Sequence, residues 1–167
     1  DGLTTVGGAF SVWQNIHLAI RWNSAGQPMS LGDVPNGIRL RWANSASFDA
    51  SVIVGAVVTS AAPGGVLEPF RWTQATGMVS LANQLGGSTG GDAIAVSGDG
   101  STVVGYRVLS GTYDAYLWRE STGMTSLGSG RALAVSHDGS IVVGTTSSGS
   151  GFIWDESHGT LDLKQYL

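Results

Sequence analysis

AIAVSGDGSTVVGYRVLSGTYDAYLWRESTGMTSL (residues 93–127) decides the fold. Asp99-Gly100 separates two apolar runs, the strongest short-range hairpin signal. Ala93 and Ala95 alternate with Ile94 and Val96, and Val103 and Val104 are adjacent, so both runs read as strands buried on two faces. Next comes an aromatic two places before a Trp (Tyr116, Trp118), then a Gly turn (Gly123) and a Leu (Leu127). The stretch therefore reads as four strands, A to D, in two tight hairpins.

The same unit recurs. Upstream, A-x3-S-x-D-x-S-x-[IV]-V-G appears without gaps at Ala43–Gly55, Ala93–Gly105 and Ala132–Gly144. Its turn residues are Asp49, Asp99 with Gly100, and Asp138 with Gly139; Ala50 replaces the first Gly, which predicts a different or looser turn there. Downstream, a Trp is followed nine residues later by a Leu four times: Trp22/Leu31, Trp72/Leu81, Trp118/Leu127 and Trp154/Leu163. Phe70, Tyr116 and Phe152 precede three of these Trp residues, and Ile20 takes that place in the first. The Gly-to-Trp spacing varies (17, 13 and 10), as does the Leu-to-Ala spacing (12, 12 and 5), so loops are expected at both connections.

Composition bounds the class. With 167 residues, 42% of them hydrophobic, the chain can bury a real core. Gly is 26 residues and charged residues are 12%, which suits short strands and tight turns. A net charge of −4 without a basic cluster argues against nucleic acid. No apolar run reaches the ~18 residues a spanning helix needs. Zero Cys excludes disulfides and thiol chemistry. No signal peptide is evident, and a mature start would look the same.

Four antiparallel strands per repeat predict an all-β, β-propeller-like domain of about four blades. Residues 1–167 form one repeat domain: a partial repeat at 1–31, then 38–81, 92–127 and 131–163. Asp1-Gly2 aligns with Asp99-Gly100, so the first blade lacks strand A, giving fifteen strands. A fragmentary chain, strand donation by a neighbouring subunit, or a three-stranded blade would each explain this.

AVSxDGSxVVG, aromatic-x-Trp and GMxxLG together resemble the HAF-type extracellular repeat of bacterial secreted and surface proteins. Ala93–Gly105, Phe70–Leu81, Tyr116–Gly128 and Ala132–Gly144 carry the resemblance, and residues 152–167 resemble a last repeat. The first unit, with His17-Leu18-Ala19-Ile20, and the second, without Asp-Gly, depart from it. The resemblance implies an exported protein, often of unknown function, and supplies no catalytic residues.

The repeat Trp and Leu residues are expected to fill space between blades. Asp49, Asp99 and Asp138 are expected to cap turns; their spacing fits neither an EF-hand nor an Asp-box. His17, His137 and His158 occupy unrelated repeat positions and predict no metal site. No G-x-S-x-G elbow occurs, and GGSTGG (86–91) lacks the Lys and helix of a phosphate cradle. No cofactor is expected. Trp13, Trp42, Tyr106 and Tyr113 are the candidate ligand or partner contacts. The expected function is a non-enzymatic, surface-exposed structural or adhesion protein that forms oligomers or filaments through an open blade edge. The alternatives are a carbohydrate-binding, lectin-like module and, further off, a hydrolase.

Overall fold

The computed structural model describes residues 4–12, 16–35, 37–59, 65–84 and 86–165. Unit one comprises β1 (Thr5–Ser11), β2 (Ile16–Trp22) and β3 (Pro28–Ser30). Unit two comprises β4 (Gly37–Ala46), β5 (Val52–Thr59), β6 (Val66–Thr73) and β7 (Gly77–Ser80). Then come β8 (Gly91–Val96), β9 (Thr102–Leu109), β10 (Thr112–Arg119), β11 (Gly123–Val135), β12 (Ile141–Thr146), β13 (Gly151–Asp155) and β14 (Gly159–Asp162). All pairing is antiparallel between sequence neighbours, and the described residues contain no α-helix.

The strands form three sheets of three, four and seven strands, not four separate blades. The seven-stranded sheet arises because β11 is strand D of unit three and strand A of unit four at once. Only four residues lie between Leu127 and Ala132, too few to leave one sheet and enter another. Counting β11 twice restores the fifteen expected strand roles. Among the described residues no closed barrel or closed propeller forms. The expected B–C loops differ too. Much of that variable length is strand, as in β9 and β10, which join through Ser110 and Gly111, both at positive φ (49° and 80°). This is the primed-turn geometry that matches strand twist.

One local device recurs in units two to four. Strand A carries a bulge: the register slips between Ala43 and Ser45, Ala93 and Ala95, and Ala132 and Ala134. The bulge drives the carbonyl of the preceding residue against strand B. A Cβ on Gly55, Gly105 or Gly144 would fall 2.0, 2.0 or 2.1 Å from the carbonyl oxygen of Trp42, Asp92 or Arg131. Only Gly fits there. Across strand C those glycines pair with Phe70, Tyr116 and Phe152, whose rings cover the bare backbone. The V-G and aromatic-x-Trp motifs are thus two halves of one contact.

The A–B turns are alike in all three units. Ser97 Oγ donates to Asp99 Oδ1 (2.5 Å) and accepts the Thr102 N–H (3.0 Å), while Asp99 Oδ1 accepts the Ser101 N–H (2.9 Å). Ser47/Asp49 and Ser136/Asp138 repeat the pattern. Ala50 does not change the turn type: it adopts φ 55°, beside 75° for Gly100 and 71° for Gly139. The hydrogen-bonded frame forces a left-handed backbone on an Ala. Successive turns are tied together, Phe48 N–H to Gly98 O (2.8 Å) and Asp99 N–H to His137 O (3.0 Å).

The core lies in three seams between successive units. Trp72, Phe70, Ile53 and Val57 meet Ala19 and Leu31 in the first. Trp118, Tyr116 and Val103 meet Val52, Val54 and Leu81 in the second. Phe152 and Val142 meet Val104, Leu117 and Leu127 in the third, with Trp154 packed against it. At each seam, therefore, the later unit presents its Trp side and the earlier unit its Leu side. Arginines seal two seams: Arg21 lies 5.0 Å over the Trp72 ring and Arg71 5.9 Å over Trp118.

Ala50→Gly is expected to stabilise the protein by about 1 kcal/mol by relieving the left-handed strain; an unchanged urea midpoint would contradict this. Trp72→Ala is expected to cost about 3–5 kcal/mol through cavity formation in a seam. Trp22→Ala, where the ring is only half-buried, should cost clearly less in the same urea titrations.

Candidate functional site

The bulge aims side chains as well as carbonyls. The residue preceding the repeat Ala is Trp42 on β4, Asp92 on β8 and Arg131 on β11, so one register position forms a row across units two, three and four. The Asp92 carboxylate accepts hydrogen bonds from Asn44 Nδ2 (2.9 Å), the Ala93 N–H and the Trp42 side chain. Asn44 also donates to the Ala93 carbonyl (2.9 Å), and the Tyr116 hydroxyl donates to the Asp92 carbonyl (3.1 Å). Beyond Asp92, the Arg131 guanidinium lies 4.0 Å from the ring centre of Tyr113 and 4.8 Å from that of Tyr106. The two Tyr rings meet edge to face at 5.0 Å. Arg107 Nε and Asp114 Oδ2 form a neighbouring ion pair at 2.8 Å.

Burial pushes the Asp92 carboxyl up to about 6, against the pull of Asn44, Ala93, Arg131 and Trp42. Burial likewise raises the Tyr106 and Tyr116 phenols, with the Asp92 charge adding to both. The site is thus a desolvated carboxylate, a ring-clamped guanidinium and three aromatic side chains on one rim.

Three of the four aromatic contacts expected from sequence, Trp42, Tyr106 and Tyr113, come together here; Trp13 lies outside the described residues. Asp92, Asn44 and Arg131 escaped sequence reasoning. Trp, Asp and Arg share one repeat position, and a consensus pattern discards a position whose residue type changes. The signal available was that register, immediately before each repeat Ala.

The other named residues serve structure. Trp72 and Trp118 are buried in seams and Trp154 packs on the third, while Trp22 is half-buried at the end of the array. Asp49, Asp99 and Asp138 hold their turns, and Ser hydroxyls and backbone N–H groups pull Asp49 and Asp138 down to about 2. The histidines do not meet: His17 packs on Phe10, His137 on Phe48, and His158 pairs with Asp155 (2.9 Å) in the last hairpin turn. Among the described residues no three His, Asp or Glu side chains are placed to hold a metal ion. None of the described helices is long and apolar enough to cross a membrane.

The two ends of the array differ from its seams. Val54, Val104, Leu81 and Leu127 are 0–4% exposed on the Leu side of units two and three. Their counterparts in unit four are Val143 (40% exposed) and Leu163 (40%), beside Ile141 (43%) and Leu133 (44%). At the other end Trp22 points away from unit two, because its strand neighbours Ala19 and Arg21 face that seam. β1 is an edge strand where other units carry strand A.

The fold and rim together define a class: a stacked array of antiparallel β units with a row of variable side chains on its bulged strands. Comparison with protein-family models and with curated proteins gives no match.

Asp92 and the turn carboxylates titrate in opposite senses. Asp92 is raised from 3.8, so the folded chain holds its proton longer and its contribution to stability falls as pH rises from about 4 to about 6. Asp49 and Asp138 are lowered, so their contribution is complete above about 4 and is lost as pH falls toward 2. Asp92→Asn is expected to gain roughly 2–3 kcal/mol on the wild type between pH 4 and 6. A difference in urea-unfolding free energy that stays flat over that window would contradict the assignment.

Proposed function

We propose that this chain is a non-catalytic structural or adhesion protein, exported to the cell surface or beyond, whose copies stack head to tail. The observation that carries the reading is the bare Leu side of unit four. Val143 and Leu163 are 40% exposed where their counterparts in units two and three are 0–4% exposed. Each internal seam buries that face under the Trp side of the following unit. A second copy of this chain, presenting Trp22 and the outer side of unit one, fits that face. The geometry at that junction repeats a contact already made within the chain. The edge of β1, free of a strand A among the described residues, offers a second attachment at the same junction. Such a contact is heterologous: it grows into a filament, or closes into a propeller-like ring if the rotation allows. The resemblance of the motifs to HAF-type repeats, the low charge and the high Gly content support an extracellular setting.

Light scattering and negative-stain microscopy of the 167-residue chain are expected to show filaments or closed rings. Val143→Lys and Leu163→Lys, both at exposed positions, should return monomers while changing fold stability by no more than about 0.5 kcal/mol. A wild-type chain that stays monomeric at high micromolar concentration overturns the proposal.

A further inference from the structure

The Arg131 guanidinium has an unusual standing among the described residues. Two Tyr rings hold it, at 4.0 and 4.8 Å, yet none of its N–H groups donates to a described protein group. Arg41 pairs with Asp33, Arg107 with Asp114, and Arg119 donates to Thr102 and the Gly139 carbonyl; Arg71 also lies over a ring, but a single one, Trp118, at 5.9 Å inside a seam. The Tyr106 and Tyr113 hydroxyls likewise have no described hydrogen-bond partner, and Tyr113 is 43% exposed. A planar fork of donors, fixed by rings and flanked by two phenolic hydroxyls, is organised for an acceptor-rich ligand.

The chemistry around the fork narrows the class. One guanidinium beside a carboxylate suits a single negative charge; a doubly charged phosphate would meet the Asp92 charge without a second cation to offset it. Asp92 is already positioned by Asn44 and can accept a ligand hydroxyl. Trp42 and Tyr113 add aromatic surface, which packs against the C–H faces of a sugar ring.

We propose that the row Trp42–Asp92–Arg131, with Tyr106 and Tyr113, binds a uronic-acid-containing glycan, its carboxylate seated on the Arg131 fork and a sugar hydroxyl on Asp92. This goes beyond self-assembly and does not depend on it, since every residue of the row belongs to one chain.

The test is calorimetric titration of the full chain, wild type and Val143→Lys, with oligogalacturonate and with the neutral oligogalactose of equal length. Oligogalacturonate is expected to bind at least tenfold tighter than the neutral sugar. Arg131→Gln should lose at least tenfold in affinity. Arg131→Lys, which keeps the positive charge but not the fork, should lose most of the same factor, with the melting temperature of both variants unchanged. Absence of oligogalacturonate binding at millimolar concentration, equal binding of the neutral sugar, or full affinity in both Arg131 variants overturns the proposal. Loss of assembly in Val143→Lys with binding retained separates this site from the stacking reading.

Discussion

A carbonyl oxygen pressed against a glycine organises this protein. In units two, three and four the bulge of strand A brings the carbonyl of Trp42, Asp92 or Arg131 to where any Cβ on strand B would sit. An aromatic ring from strand C covers the same glycine. Three strands are thereby locked in register by one backbone contact, and a strand with period two has no tolerance for a slip. The ring that covers the glycine then continues into the seam with the preceding unit. The local contact within a sheet and the packing between sheets therefore share the same side chain.

That sharing gives the array its direction. A unit's Trp side carries rings and its Leu side carries branched aliphatics and the Arg21 or Arg71 stem. Two identical faces would pair symmetrically and stop; two different faces repeat. Unit one departs from the rule, pairing Gly7 with Ile20 rather than with an aromatic.

Much of this was legible in the sequence, for a physical reason. Glycines at positive φ, the Ser-x-Asp turn and the Trp/Leu spacing are constraints that allow few residue types, so they stand out as a pattern. Strand order followed from them; the number, fifteen expected against fourteen formed among the described residues, did not. Ala50 shows the limit. Its side chain argued for another turn, yet the Ser47 and Asp49 hydrogen bonds fix the backbone and leave the Ala to accept the strain. The merging of units three and four was also hidden, because a short connection reads as a tight loop until pairing shows one continuous β11.

The rim was least legible because the contact that builds it uses the main chain. A carbonyl is the same whichever side chain it belongs to, so the bulge holds its shape with Trp, Asp or Arg at the same register. Packing constrains the Ala that follows and the Gly opposite; it leaves the bulged residue unconstrained. Side chains at such positions are aimed by the fold without being needed by it. That combination separates two demands that often compete in one residue, stability and recognition. It also explains why Arg131 can lay its guanidinium on two Tyr rings and keep its hydrogen-bond donors free of described protein partners, since no seam requires them.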